Sequence, residues 1–275
     1  MKINFTNTTS IIAVQRMESL YLISIALHDL YIPMVFDTGA TMTVMKRTTA
    51  SRFQAIACSE TVKAGGNAGQ ILTANTAIIP LMQIGEVTIE DLQVIVVEDE
   101  QLDFGEDDNG NPIIVNGFLG WDIIQHFKWE YDRIGNTINI TKPIPERLSS
   151  NMEEWDNMPI LRTLINGRVE LFGFDTGNTE SILGDHMYHR LPESSETLDV
   201  LTGVDGTKEE TVRIVEKLSL EIGNQIVVLN QVSAINRKVF PTEYEQINGL
   251  LGADILEEKS WMLDFSNRIL DVERS

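Results

Sequence analysis

Two aspartates are the residues in this chain whose pattern best fits chemistry, because each stands in the same short motif. Asp37-Thr38-Gly39 occurs in the first half and Asp175-Thr176-Gly177 in the second, and each follows an apolar run. Two carboxylates from two similar halves can face each other across a pseudo-two-fold axis. Such a pair can share one proton and activate a water molecule, because neighbouring carboxylates do not both ionise easily. The pattern predicts acid–base hydrolysis.

The repeat extends well beyond the two tripeptides, and an internal repeat constrains the fold before any other signal. At a similar distance after each tripeptide come Asn-Gly, two apolar residues, a second glycine and an aspartate, in residues 116–124 and 248–256. A related tail follows each copy, in residues 129–140 and 261–272. The order of parts is therefore the same twice: strand, Asp-Thr-Gly, long middle, apolar-apolar-Gly, short helix and two short strands.

The elements that position these motifs are predicted to be mostly strands. β-Branched and aromatic residues favour strands, and they predict strands at Lys2–Phe5, Ile11–Arg16, Leu20–Leu27, Tyr31–Phe36, within 71–97, at Thr211–Ile222 and at Gln225–Val232. A short helix is predicted over Lys46–Ala55. Prolines and a polar run predict a linker over residues 143–157. The predicted domains are therefore an N-terminal lobe, 1–142, and a C-terminal lobe, 158–275. We expect the ends of the two lobes, near Ile138–Ile140 and Ile269–Asp271, to pair with the N-terminal strand in a sheet between the lobes.

With these motifs the sequence resembles the aspartic proteases, and within them the retropepsin-like group. The lobes are short, and no aromatic residue stands where a pepsin flap has its tyrosine. Both lobes lie in one chain, as in pepsins, so the resemblance is to a single-chain, bacterial-type member. It implies an all-β fold of two similar β-barrel lobes, related by a pseudo-two-fold axis, with a central cleft and a few short helices.

The resemblance also implies roles for the residues around each motif. Asp37 and Asp175 would be the catalytic pair, and Thr38 and Thr176 would hydrogen-bond across the lobes. Gly39 and Gly177 let the backbone pass close to the aspartates and donate N–H groups to them. The segments Leu119-Gly120 and Leu251-Gly252 would pack behind the active-site loops.

Glycine-bearing segments stand where flaps would fall in such a fold. The candidate flap tips are Gly65 and Gly66 in the first half, and Gly203 and Gly206 in the second. A flap tip needs glycine because it turns tightly and lies against substrate backbone. The alternative for each tip is an ordinary β-hairpin turn.

The halves differ directly after the motif, where Ala40 follows the first tripeptide and Asn178 the second. A hydroxyl at this position would donate to the aspartate and favour its charged form. The side chain of Ala40 cannot donate a hydrogen bond to Asp37, whereas the side-chain amide of Asn178 can donate to Asp175. We therefore expect Asp37 to have the higher pKa of the pair.

Composition excludes several other classes of function. A formal net charge of −20 argues against nucleic-acid binding, because phosphate contacts need clustered Lys and Arg. The longest uncharged apolar stretch, Leu20 to Leu27, is too short to span a bilayer. The single cysteine, Cys58, provides no disulfide framework, and we expect a cytoplasmic protein. The acidic segment 98–108 lacks the register of a calcium loop, and the four histidines are expected to face solvent, so we predict no metal and no cofactor.

Three classes of function remain open from the sequence. The first is an endopeptidase, active as a monomer, that cuts a peptide or protein substrate bound in extended conformation. The second is a catalytically inactive peptide-binding module on the same fold, and the third is a structural protein built on it. The presence of both aspartates, threonines and glycines favours the endopeptidase, because a protein without turnover has no catalytic need for them.

Overall fold

The structure, a computed structural model, describes residues 1–65, 71–106, 112–146, 150–155, 158–192, 196–203, 206–239 and 246–273. Within these ranges nearly all of the regular secondary structure is β-strand, as the sequence predicts. The helices are α1 (Arg47–Arg52), α2 (Trp121–Ile124) and α3 (Asp185–Tyr188), with 3-10 turns at Asp99–Leu102 and Ala253–Leu256.

The strands of the first half are β1 (Lys2–Phe5), β2 (Thr9–Met17), β3 (Leu20–Leu27), β4 (Leu30–Phe36), β5 (Val44–Lys46), β6 (Ile56–Gly65), β7 (Ile71–Ile84), β8 (Val87–Val97), β9 (Asp103–Glu106), β10 (Pro112–Ile114), β11 (Gly117–Leu119), β12 (Lys128–Asp132) and β13 (Thr137–Thr141). Those of the second half are β14 (Met152–Trp155), β15 (Met158–Ile165), β16 (Arg168–Phe174), β17 (Ile182–Leu183), β18 (Glu196–Gly203), β19 (Gly206–Ile222), β20 (Gln225–Ile235), β21 (Ile247–Leu251), β22 (Trp261–Asp264) and β23 (Ile269–Val272).

Each half closes a six-stranded barrel of the same connectivity. The first barrel runs β3-β4-β11-β5-β8-β7 and closes through the pairing of Ala26 with Gln83. The second runs β15-β16-β21-β17-β20-β19 and closes through Leu164 and Glu221. The repeat in the sequence is therefore a repeat of architecture.

Long hairpins in both barrels turn at equivalent glycines. Gly85 between β7 and β8 has a φ of +54°, and Gly223 between β19 and β20 has a φ of +61°. Such backbone favours glycine because a Cβ clashes with its own chain there. At Gly85 a Cβ would also lie 2.2 Å from the Ser10 hydroxyl oxygen.

A sheet between the lobes joins the two halves, but its pairing differs from one part of our expectation. We expected Ile138–Ile140 and Ile269–Asp271 both to pair with the N-terminal strand. β13 does pair with β2, but β23 pairs with β22, and β22 pairs with β12 of the first half. β1 lies elsewhere and pairs with β8. The expectation for Ile269–Asp271 is therefore wrong, because β22 takes the place next to the first half.

Aromatic residues from both halves pack behind this inter-lobe sheet. Tyr21 contacts Tyr131 and Trp261 edge to face, with ring centroids 4.9 and 5.3 Å apart. Phe36 contacts both Trp129 and Trp261. All five side chains are buried, and burying one such side chain contributes roughly 1.5–3 kcal/mol. The strand that ends at Phe36, next to Asp37, is therefore anchored in a core shared by both halves.

The region between the lobes contains more structure than the predicted linker implies. β14 lies inside the predicted range 143–157 and pairs with β15 in the eight-stranded sheet of the second half. The lobe boundaries, 1–142 and 158–275, stay predictions.

Candidate active site

β4 and β16 carry the two aspartates to equivalent positions in the two lobes. Each strand pairs in parallel with a neighbour, β4 with β11 and β16 with β21. The pairing continues one residue beyond the strands. The backbone N–H of Asp37 donates to the carbonyl of Leu119 at 3.0 Å, and that of Asp175 donates to Leu251 at 2.9 Å. Each aspartate therefore begins its loop from a fixed backbone position.

The two threonines of the motifs hydrogen-bond across the lobes. The N–H of Thr38 donates to the Thr176 hydroxyl oxygen at 3.1 Å, and the N–H of Thr176 donates to the Thr38 hydroxyl oxygen at 3.0 Å. Each hydroxyl then donates to the other lobe's backbone, Thr38 to Phe174 and Thr176 to Phe36, at 2.6 Å in both cases. Both threonines are fully buried. Four reciprocal bonds without competing water fix the two loops against each other.

The two glycines bring each loop against the carboxyl group of the other. Gly39 donates its N–H to Asp37 Oδ1 at 2.9 Å, and Gly177 donates to Asp175 Oδ1 at 3.0 Å. A Cβ on Gly39 would lie 2.3 Å from Asp175 Cγ, and a Cβ on Gly177 would lie 2.3 Å from Asp37 Cγ. Only glycine leaves room for two carboxyl groups at this crossing.

The surroundings of Asp37 and Asp175 give the two carboxyl groups different pKa values. Burial raises the pKa of Asp37 well above its ordinary value, and the negative charge of Asp175 raises this pKa further. Burial also raises the pKa of Asp175, but a hydrogen bond with Asp37 lowers it. Two carboxyl groups joined by one hydrogen bond hold one proton between them, and here the proton belongs on Asp37.

The direction of this asymmetry agrees with the expectation from Ala40 and Asn178, whereas its cause differs. Ala40 is itself a donor, because its backbone N–H reaches Asp37 Oδ1 at 2.9 Å and lowers the pKa of Asp37. Asn178 lowers the pKa of Asp175 through its backbone N–H, not through the side-chain amide that we had considered. Burial and the neighbouring carboxylate decide the order.

Asp122, a half-buried aspartate that the sequence analysis did not assign, supports the first active-site loop. Asp122 Oδ1 accepts hydrogen bonds from the backbone N–H and the hydroxyl of Thr43, at 3.0 and 2.8 Å. The hydroxyl oxygen of Thr43 accepts in turn from the N–H of Gly120 at 3.1 Å. The N–H of Trp121 donates to the carbonyl of Ala40 at 2.7 Å. The segment after Leu119 is therefore bonded to the loop that follows Asp37.

The second loop has the same support from Asp254. Its carboxylate accepts from the N–H of Ser181 at 2.8 Å and from the Ser181 hydroxyl at 2.7 Å. The hydroxyl oxygen of Ser181 accepts from Gly252 at 3.0 Å, and Ala253 donates to Asn178 at 2.8 Å. Burial raises the pKa of both supporting aspartates, that of Asp122 to about 6. The signal for these residues was in the sequence, because both aspartates belong to the repeated apolar-apolar-Gly segment.

Comparison with known proteins agrees with this geometry. Residues 23–123 match a family model described as aspartyl protease. Over this range the chain is similar to the retropepsin-like aspartyl proteases. The matched range contains Asp37 and Asp122 and ends before Asp175.

A solved structure extends the similarity, at the level of the fold, to both lobes. The crystal structure of an aspartic proteinase from Irpex lacteus matches with a TM-score of 0.57 and 12% sequence identity, over 97% of this chain and 97% of that one. At this identity the match shows the two-lobed fold. No curated protein matches the chain by sequence.

The candidate flap tips lie at the ends of two long hairpins. Gly65 pairs with Ile71 as the last pair of β6 and β7, and Gly203 pairs with Gly206 as the last pair of β18 and β19. Gly66 lies outside the described residues. The two hairpins occupy equivalent places in their barrels, and their role as flaps stays a prediction.

Other sites considered from the sequence have no support in the part of the chain that the structure describes. All four histidines are exposed, as predicted. No group of three or more metal-ligating side chains occurs among the described residues, and Asp107 and Asp108 of the acidic segment lie outside them. Within the described ranges no helix has the length and apolar character to cross a membrane.

Proposed function

We propose that the chain is an aspartic endopeptidase that hydrolyses peptide bonds with a water molecule activated between Asp37 and Asp175. The observation that carries the proposal is the crossing of the two loops, where each glycine lies against the opposite carboxyl group and one hydrogen bond joins the two carboxyls. Family and fold support aspartic protease activity.

The proton positions give the proposed mechanism its direction. Asp175, the charged member, accepts a proton from the water as the water oxygen bonds to the peptide carbonyl carbon. Asp37, the protonated member, donates its proton to the carbonyl oxygen. When the C–N bond breaks, the leaving amine takes the proton from Asp175. Asp37 regains a proton from the tetrahedral intermediate, so the pair returns to its starting state.

The proposed substrate is a peptide or protein segment in extended conformation across the cleft. Extended backbone is the form that offers its N–H and C=O groups to neighbouring hairpins, and a hairpin in each lobe reaches out from its barrel. Because one chain carries both aspartate loops, we propose that a monomer is active. Specific activity should then stay constant on dilution, whereas a fall in step with dimer loss on a sizing column would contradict a monomeric site.

Peptide-library profiling tests the proposed activity. Wild type should cleave a defined subset of peptides from a digested proteome, and Asp37→Asn should cleave none, because it cannot share the proton. Asp29→Asn, at an exposed position between β3 and β4, is the matched control and should cleave like wild type. Absence of wild-type cleavage over the pH range of the assay would contradict the proposal. Peptide capture by Asp37→Asn would then indicate a binding module, and no capture a structural protein.

A further inference from the structure

One buried arginine holds the base of the second hairpin. Arg213 lies in β19, is only 9% exposed, and pairs in register with Glu196, the first residue of β18. Its guanidinium donates to the carbonyls of Tyr188 and Leu191 at 3.2 and 2.8 Å, and to Glu196 Oε1 at 2.9 and 3.2 Å. A planar group with several donors in fixed directions is well suited to join elements in this way.

Tyr188 completes the cluster, which we call the Arg213 clamp and define as Arg213, Glu196 and Tyr188. The Tyr188 hydroxyl donates to the same Glu196 Oε1 at 2.9 Å. Its ring lies under the guanidinium, 4.2 Å from ring centroid to Cζ, at the distance of a cation–π contact. Tyr188 is the last residue of α3, which begins directly after β17. The clamp therefore ties the hairpin to the segment that continues from the Asp175 loop.

The opposite face of the same strand packs on the active-site side. Side chains alternate along a strand, and Val212 and Ile214, on either side of Arg213, pack with Ile182 and Ile235. Ile182 directly follows Ser181, whose hydroxyl bonds to the supporting Asp254. The hairpin stem is thus held from two faces, by apolar contact with the loop that follows Asp175 and by the clamp on α3.

The first lobe lacks these groups at the corresponding positions. Asn75 in β7 pairs with Thr61 in β6, as Arg213 pairs with Glu196, and Ala50 in α1 takes the place of Tyr188. None of the three carries a charge or an aromatic ring. The clamp therefore belongs to the second hairpin alone and is not required by the architecture of the barrel.

We propose that Arg213 is a positioning residue that fixes the second hairpin as a preformed wall of the cleft beside Asp175. This inference rests on the proposed function. A wall that is already in place does not have to be ordered when substrate binds, so the clamp strengthens binding without touching the reacting atoms. Its loss should weaken the binding of substrate and leave the chemistry of the bound substrate nearly unchanged.

Steady-state kinetics on a peptide that wild type cleaves test the role of the clamp. In Arg213→Met we expect KM to rise about tenfold while kcat stays within about twofold, because binding loses preorganisation and the aspartate pair is unaltered. Arg213→Lys keeps the charge but loses the planar arrangement of donors, so its KM should lie between those of wild type and Arg213→Met. Asn75→Ala, at the matched position of the first lobe, should keep the wild-type KM. An unchanged KM, or a fall in kcat alone, would overturn the inference, because loss of folded molecules lowers kcat without changing KM.

Glu196→Gln keeps a hydrogen-bond acceptor at the same place and removes its charge. This variant tests the role of the clamp if Arg213→Met does not fold. A raised KM in this variant supports the clamp, and a wild-type KM rejects it. If wild type cleaves no peptide, the proposed protease function is contradicted, but the role of the clamp can still be tested. Amide hydrogen exchange over residues 196–203 then tests the clamp. Faster exchange in Arg213→Lys, with 56–63 of the first hairpin unchanged, supports it, and unchanged exchange in both hairpins rejects it.

Discussion

Thr43 in the first lobe and Ser181 in the second stand at the same place in their loops, and each donates its hydroxyl to a half-buried aspartate. The reciprocal threonine bonds and the two crossing glycines are equally alike, with matching distances in the two lobes. Around the aspartates the lobes are therefore nearly interchangeable, although most of their remaining sequence differs.

Away from the aspartates the lobes diverge. The first lobe adds the hairpin β9–β10, and beside it an apolar cluster forms around Val35, Leu102, Val115 and Phe118, with half-buried Ala40 at its edge. Among the described residues of the second lobe the apolar cluster at this place is small, and the Arg213 clamp lies beside it. Both loops contribute to one pair of carboxyl groups that shares a proton, so they are constrained to the same geometry. The hairpins that form the walls of the cleft are free of this constraint and can differ between the lobes.

The largest expected effect tests the equality of the two loops. Gly39→Ala and Gly177→Ala should each lower kcat/KM by about a hundredfold or more, because each Cβ would displace the opposite carboxyl group and small displacements are costly in catalysis. Gly184→Ala is a matched control, since its Cβ would meet the nearest atom at an ordinary 3.4 Å. Steady-state peptide hydrolysis measures all three. A large loss in only one of the two loop variants would show that the two loops are not equivalent.

The inter-lobe threonines should contribute equally to stability. Thr38→Val removes a hydroxyl that donates to Phe174 and accepts from Thr176, and Thr176→Val removes its mirror image. Each variant leaves a buried donor and a buried acceptor unpaired, which costs roughly 2–5 kcal/mol in the free energy of unfolding. Urea denaturation followed by tryptophan fluorescence measures both. Unequal losses would show that the two lobes do not share these bonds equally.

The supporting aspartate of the first lobe should make stability depend on pH. The folded-state pKa of Asp122 is raised to about 6, above its ordinary value of 3.8, so the folded chain binds this proton more tightly than the unfolded chain does. Stability from this group is therefore present below pH 3.8 and is lost as pH rises towards 6, by at most about 3 kcal/mol. Asp122→Asn removes the titration, so its free energy of unfolding relative to wild type should improve across this window. A difference that stays constant with pH would contradict the account.

The smallest expected effect concerns the residue after each motif. In Ala40→Ser a hydroxyl can donate to Asp37 and favour its charged form, so the basic limb of the pH–rate profile should move to lower pH by less than about one unit. Asn178→Ala keeps the backbone N–H that acts on Asp175, and its profile should match wild type. The pH dependence of kcat/KM gives both results. An unmoved basic limb in Ala40→Ser would mean that a hydroxyl at this position does not act on Asp37, and that burial and the charge of Asp175 set its pKa.

Much of the fold was predictable because its signals are local. Strands at Lys2–Phe5 and Leu20–Leu27 have the predicted bounds, since runs of β-branched and aromatic residues mark them. The helix predicted over Lys46–Ala55 is shorter, Arg47–Arg52, and Gln54 just beyond it has a positive φ that a helix cannot continue. The partner of Ile269–Asp271 was not predictable, because pairing between distant strands depends on the assembled lobes rather than on their own residues.

For the candidate site, too, some residues could be identified from the sequence and others could not. Repetition alone identified Asp37 and Asp175, but Asp122 and Asp254 stood in the same repeat without an assigned role. The repeat marks both positions, but the hydroxyl and N–H partners that give these carboxylates their supporting role meet them only in the folded chain. Arg213 was missed for the same reason, because its partners in α3 and β18 meet it only in the folded chain.

The central claim is that the two aspartates act as one unit, and the most direct test is kcat/KM for Asp37→Asn, Asp175→Asn and the double variant on one peptide substrate. Because either change removes the shared proton, we expect each single variant to lose as much activity as the double variant. Unchanged thermal unfolding of the variants serves as the control for folding. A single variant that keeps more than about a tenth of wild-type turnover would contradict the account, since groups acting as a unit do not divide their effect.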